Sequence, residues 1–155
     1  MSQTTVWRLC RKPYAAESFS GEGTRLYGGR WSPVGLRVAY SSESRSLAAL
    51  EVLVNARDPE LLFAQRWTMI SATIPDELIE RPKRVPDSWR ATPYGAETQA
   101  FGANWARLGH HAALRVPSSV VLGEFNYLLN PAHPDFARIT IARPESFDFD
   151  SRLRR

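Results

Sequence analysis

Arg30 follows two glycines in Gly28-Gly29-Arg30-Trp31, Glu51 sits inside the apolar run Leu47-Ala48-Ala49-Leu50-Glu51-Val52-Leu53-Val54, and Ser118 follows a proline in Val116-Pro117-Ser118. A guanidinium offers several donors in a rigid fork that suits phosphate oxygens. Two preceding glycines let the backbone come close to a ligand. A carboxylate that borders a buried helix face costs free energy unless it is paired or used, and an ionised one opposes positive charge growing on a substrate. A hydroxyl at the end of a β-run can bond a ligand. Together these groups suit an anionic, sugar-containing ligand on which positive charge develops. Each also has a plainer reading. Arg30 can pair with a loop carboxylate, Glu51 can be a solvated charge on an outer helix face, and Ser118, with Ser119 beside it, can cap a turn.

Other residue types narrow the chemistry. Tyr40 ends a strand just ahead of the Glu51 helix, where a tyrosine can stack on a planar ring and bond at its tip, or pack in the core as Trp7, Trp67, Trp89 and Trp105 do. His110, His111 and His133 are the histidines, and no Cys or Asp spacing completes a metal set around them. Gly21-x-Gly23 and Gly28-Gly29 lack the strand–GxGxxG–helix setting of a dinucleotide fingerprint. No nucleophile elbow supports a serine hydrolase. Cys10, with no basic partner in view, reads as a small buried residue.

The elements that must position these groups follow from pattern. Val6 to Cys10 reads as a strand, Pro13 to Pro33 as a long irregular segment of the kind usually kept for function, and Arg37 to Ser41 as a second strand. Leu47, Leu50, Leu53 and Val54 recur at helical spacing, so Ser46 to Asn55 is an amphipathic helix. Gln65 to Ile74 is a strand; prolines make Pro75 to Tyr94 mostly connection. Gly95 to Leu108 is a helix with Ala100, Phe101, Trp105 and Leu108 on one face. Ala113 to Val116, Val120 to Val121 and Arg138 to Ile141 are further short strands, and Asn130-Pro131 with His133-Pro134 marks a tight turn. Short strands with two good helices predict an α+β chain, folded as one compact domain over residues 1–155.

Composition sets the frame. A chain of 155 residues buries about 70% of the surface its unfolded form exposes, so it needs no disulfide or metal to fold. The single cysteine fits a reducing cytoplasm, the polar stretch Met1 to Arg11 is no secretory signal, and no run is long enough to span a bilayer. The net charge of +4 invites a nucleic-acid reading, but Arg152, Arg154 and Arg155 supply much of it at one end and the other basic residues alternate with acids. A basic growth inhibitor that tracks nucleic acid through that tail is the rival to an enzyme.

The residues resemble the RES domain family, named for its Arg, Glu and Ser. The resemblance runs through Trp7-Arg8, Phe19-x-Gly21-x-Gly23, Gly28-Gly29-Arg30-Trp31-Ser32-Pro33-x-Gly35 and Val38-Ala39-Tyr40-Ser41-Ser42-Glu43-Ser44. It continues through Leu47 to Glu51, Val116 to Val121, Asn126 to Pro131 and His133-Pro134. It implies a toxin of a bacterial toxin–antitoxin pair, a fold similar to ADP-ribosyltransferase toxins, and NAD as a substrate that the toxin depletes without a metal. It also implies a cognate antitoxin with a helix-turn-helix domain, so that DNA is reached only through the antitoxin; a homodimer within that complex stays open. The family's arginine falls on Arg30, its glutamate on Glu51 and its serine on Ser118, with Ser119 as competitor. Arg8 and Tyr40 match further pocket positions, Arg25 competing with Arg8. Water, inorganic phosphate or a protein side chain would each serve as acceptor, giving a glycohydrolase, a phosphorylase or an ADP-ribosyltransferase.

Overall fold

The computed structural model describes residues 2–154, with Met1 and Arg155 outside them. In chain order the elements are β1 (Gln3–Arg11), α1 (Glu22–Tyr27), β2 (Ala39–Ser42), α2 (Arg45–Asn55), α3 (Pro59–Ala64) and β3 (Trp67–Pro75). They continue with β4 (Ile79–Glu80), α4 (Ala96–Leu108), β5 (Ala113–Pro117), β6 (Phe125–Leu129), β7 (Thr140–Ile141) and β8 (Glu145–Phe147). The chain is α+β, as its patterning predicts.

The strands form one sheet in the order β4-β5-β6-β2-β1-β3-β7, with β8 also on β3. It consists of two well-paired halves. β1 and β3 run antiparallel from Gln3 against Pro75 to Arg11 against Trp67. β2, β6 and β5 pair antiparallel at full length. Between the halves, β1 and β2 are registered only at Trp7 against Ser42. The sheet therefore parts beside Arg8 and Tyr40.

The packing shows the same division. One face carries a continuous core of Val6, Cys10, Ala39, Ile70, Ile74, Ala113 and Leu129. The opposite face carries two clusters. Trp31, Val38, Trp105, Leu114, Val116 and Leu128 pack beneath α4, and Leu9, Ala48, Leu62, Met69 and Phe149 pack beneath α2 and α3. Alternation along the strands feeds both faces, since neighbours such as Ile70 and Met69 belong to different cores. Each buried leucine or isoleucine contributes about 1.5–3 kcal/mol relative to exposure.

Several expectations need correction. Val120 to Val121 is no strand: these residues lie in a bend, and both backbone N–H groups donate to Ser118 Oγ at 3.1 Å. β-branched residues favour a strand only where a partner strand is available. Of Arg138 to Ile141, only Thr140 and Ile141 pair, because a 3-10 helix occupies Pro134–Arg138. Pro13 to Pro33 is less irregular than its composition implies, holding α1 and most of a 3-10 turn over Lys12–Glu17. The buried face of α4 is Thr98, Gly102 and Trp105, while Leu108 is exposed. Gly102 explains that rotation: a Cβ there would lie 1.7 Å from the Trp31 carbonyl oxygen, so the helix packs through a bare backbone.

Candidate active site

The gap between the two clusters is a cavity of about 910 Å³. Arg8, Arg30, Tyr40, Glu51, Ser119 and Asn126 line it, with Trp7, Leu9, Val52, Leu62 and Trp67 forming an apolar side. That volume falls within the range of cofactor-sized pockets. A second depression of about 530 Å³ gathers Arg11, Lys12 and Arg66 but no acid.

Arg30 stands at the tip of a tight loop. Gly29 and Ser32 bond each other's backbones, and Gln99 of α4 donates to the carbonyls of both, at 3.1 and 3.3 Å. Trp31, 2% exposed, is the anchor of that loop, stacked edge-on with Phe101. Tyr40 holds it from the other side: its Oη accepts from Trp31 N–H and lies 2.9 Å from Ser32 Oγ. A Cβ on Gly29 would meet Tyr40 Oη at 2.6 Å, so a side chain before Arg30 would push Tyr40 off its bonds to Trp31 and Ser32. Arg30 Nη1 then donates to the carbonyls of Trp89 and Ala91, at 3.0 and 2.6 Å, and the guanidinium lies 5.6 Å from the Tyr94 ring centre.

Arg8 closes the part in the sheet. Its Nη1 donates to the Tyr40 carbonyl at 2.8 Å, and its Nε is buried with no hydrogen-bond partner. Burial depresses the guanidinium from its ordinary range, with Cys10 acting weakly the other way. Among the described residues, no carboxylate lies within ion-pair distance of Arg8 or Arg30. Arg25 differs: it pairs with Glu22, which also holds Arg37, away from the cavity lining.

Glu51 is half-buried on α2, a helix capped by Ser44, whose side chain accepts from Leu47 N–H. Two donors converge on one carboxylate oxygen. Ser118 Oγ donates to Oε2 at 2.8 Å and Asn126 Nδ2 donates to the same atom at 2.6 Å. Oε1 has no partner among the described residues. Ser118 is fully buried, and its hydroxyl is fully committed: it gives its one proton to Glu51 and accepts from Val120 and Val121 N–H. Asn126, absent from the sequence-based site candidates, carried two signals: its place in the Asn126 to Pro131 stretch of the family resemblance, and an amide in the β-run Phe125–Leu129, where asparagine is disfavoured.

Several of the remaining groups have structural partners. His133 Nε2 lies 2.7 Å from the Gly109 carbonyl and its Nδ1 accepts from Asp135 N–H. Cys10 is buried against Thr68. Arg152 pairs with Asp150 and Arg154 with Glu60. Among the described residues no three His, Cys, Asp or Glu side chains form a metal-binding group, and no helix is long and apolar enough to cross a membrane.

Tyr40 also provides a stability probe. Burial pushes its phenol up to about 12, opposed by its bonds to Ser32 and Trp31. The neutral phenol is favoured in the folded chain, so its contribution is complete below pH 10 and is lost as pH rises through about 12. Tyr40→Phe should be less stable than wild type at pH 8 by about 1–2 kcal/mol, for the lost hydrogen bonds. Between pH 10 and 12 that gap should narrow and close, because only the wild-type chain has this phenol to ionise. Denaturant titrations across that pH range check both parts.

Comparisons with known proteins agree with this fold. The RES domain family model matches residues 5–150. A "Toxin Res" of Photorhabdus laumondii is 38% identical over 151 residues, covering 96% of both chains. A "Prs ADP-ribosylating toxin" of a Sphingobium strain is 35% identical over 157 residues, covering 97% of this chain and 96% of its own. Among solved structures, a chain of the M. tuberculosis MbcT-MbcA toxin-antitoxin complex superposes with a TM-score of 0.74 at 19% identity, over 95% of this chain and 85% of that one. The fold is thus that of a chain from a toxin–antitoxin complex. This chain belongs to the RES domain family, whose curated members matched here are named as toxins.

Proposed function

We propose that this chain is the toxin of a toxin–antitoxin pair and that it breaks the nicotinamide–ribose bond of NAD. The observation that carries the reading is the cavity itself. It sets two guanidinium groups without carboxylate partners beside a carboxylate that keeps one oxygen free. Half-buried cations without counter-charges suit an anionic ligand, and a diphosphate supplies that charge.

In this reading Arg8 and Arg30 hold the diphosphate and fix the ribose. As the bond from C1′ to the nicotinamide nitrogen breaks, nicotinamide leaves with the electron pair and becomes neutral, and positive charge grows on the ribose. Glu51 opposes that charge and accepts from a ribose hydroxyl through Oε1. Ser118, whose hydrogen-bonding capacity is used up, acts by orienting Glu51. Tyr40 fixes the Arg30 loop and packs beside the substrate. No metal takes part. The acceptor oxygen then attacks C1′ and releases its proton.

Water gives ADP-ribose and phosphate gives its 1-phosphate. The name of the Sphingobium relative favours a second reading, transfer of ADP-ribose to a protein. The MbcT-MbcA complex supports an antitoxin as partner; a helix-turn-helix domain in that partner and a cytoplasmic setting are what the family resemblance adds to the proposal. The test is incubation of the purified, antitoxin-free chain with NAD, with and without inorganic phosphate or cell extract, followed by product identification. Release of nicotinamide is the expected result. Intact NAD under all three conditions would end the proposal.

A further inference from the structure

We infer that Asn126 is a positioning residue for Glu51, set in place by Ser42, and that it fixes the direction in which the unbonded carboxylate oxygen is offered to the substrate. The inference rests on the NAD-cleaving reading of the cavity and adds to it a residue outside the arginine, glutamate and serine of the family's name.

The argument is one of donors and acceptors. A carboxylate only accepts, so the group that Asn126 turns toward Glu51 Oε2 must be its amide NH₂. Its carbonyl Oδ1 then faces Ser42, whose hydroxyl donates to it at 2.7 Å. Ser42 is buried, and Ser42 and Asn126 are direct partners in the β2–β6 register. The orientation of the amide is therefore set by a neighbouring strand and is no free rotamer choice.

Ser118 approaches the same oxygen from the end of β5, where Val116 is registered against Asn126. Two donors from adjacent strands thus hold Oε2, and Glu51 comes from a helix on the other side. Rotating the carboxylate breaks both bonds at once. Oε1 is left as the oxygen with no partner among the described residues, in a cavity that Glu51 and Asn126 both line. Either donor alone fixes a point; the pair fixes a plane. Charge-assisted bonds of this kind are the strong ones, and they hold the negative charge where it is needed before the substrate arrives.

The test compares Asn126→Asp, Asn126→Ala and Ser42→Ala in the NAD turnover assay, with thermal unfolding as a control for folding. Aspartate has the shape of asparagine and can still accept from Ser42, but it loses the donor and faces Glu51 with a like charge. A merely structural Asn126 would show its loss in thermal stability and leave kcat of the folded variants at the wild-type value. The inference predicts that Asn126→Ala lowers kcat about tenfold, the worth of one charge-assisted bond, with KM for NAD unchanged. Asn126→Asp should fall further than alanine, and Ser42→Ala should fall less than either, because the amide is then free to turn. Should Asn126→Asp fail to fold, the alanine variants carry the comparison. Wild-type kcat in the folded Asn126 variants, or a loss seen only in KM, overturns the inference alone. Absence of NAD turnover by the wild-type chain overturns the NAD reading, and the inference with it.

Discussion

Glu51→Gln is expected to reduce nicotinamide release from NAD by about a thousandfold in kcat, with KM and thermal stability close to wild type. The side chain keeps its length, and its amide oxygen can still accept from Ser118 and Asn126, so α2 remains docked. What disappears is the negative charge that opposes the cation forming at C1′. Interactions made only in the transition state show up in kcat and leave substrate binding alone. Initial-rate kinetics on the purified variant decide the matter. Turnover within a few-fold of wild type would remove Glu51 from the chemistry.

Arg8→Met is expected to act on binding. The guanidinium is buried without an anion, and taking a charge from water without a partner is costly. Methionine fills the space with an apolar chain. The melting temperature of the ligand-free variant should therefore match or exceed that of wild type, even though the bond to the Tyr40 carbonyl is gone. NAD affinity should fall about a hundredfold, since charge-assisted bonds to phosphate contribute about 1.5–3 kcal/mol. A protein that gains stability as it loses affinity carries the sign of a site strained for function. Pyrophosphate offers a simple control: it should raise the melting temperature of wild type and not that of Arg8→Met. A variant that is strongly destabilised, or that binds NAD normally, contradicts this role. Arg30 is a less clean target, because it also ties down the Trp89 and Ala91 carbonyls.

Much of the fold was legible in the sequence where side-chain pattern alone decides structure. β3, α2 and α4 fall within two residues of their expected bounds, and β1 runs longer than expected, from Gln3 to Arg11. Features set by partners were not legible. Val120 and Val121 have strand-forming side chains, but Ser118 takes their N–H groups. The face of α4 turns on Gly102, a residue with no hydropathy to read.

The site divides the same way. Arg30 and Glu51 stand out as a charge after two glycines and a charge in an apolar helix, and the structure brings both to one cavity. Ser118 was visible only as a hydroxyl after proline; that it spends its proton on Glu51 depends on how β5 meets α2. Arg8 and Arg25 cannot be told apart by residue type; the pairing of Arg25 with Glu22 and the place of Arg8 in the cavity lining separate them. Asn126 was missed because its two partners, Ser42 and Glu51, lie 84 and 75 residues away along the chain.

The central claim is that one cavity holds NAD with its diphosphate on the arginines and its nicotinamide ribose on Glu51. The most direct measurement is a crystal structure of the Glu51→Gln variant grown with saturating NAD. The account predicts diphosphate oxygens within hydrogen-bond distance of Arg8 and Arg30, and the nicotinamide ribose against the side chain at position 51. NAD bound elsewhere on the chain, or in this cavity with its diphosphate away from both arginines, would contradict it.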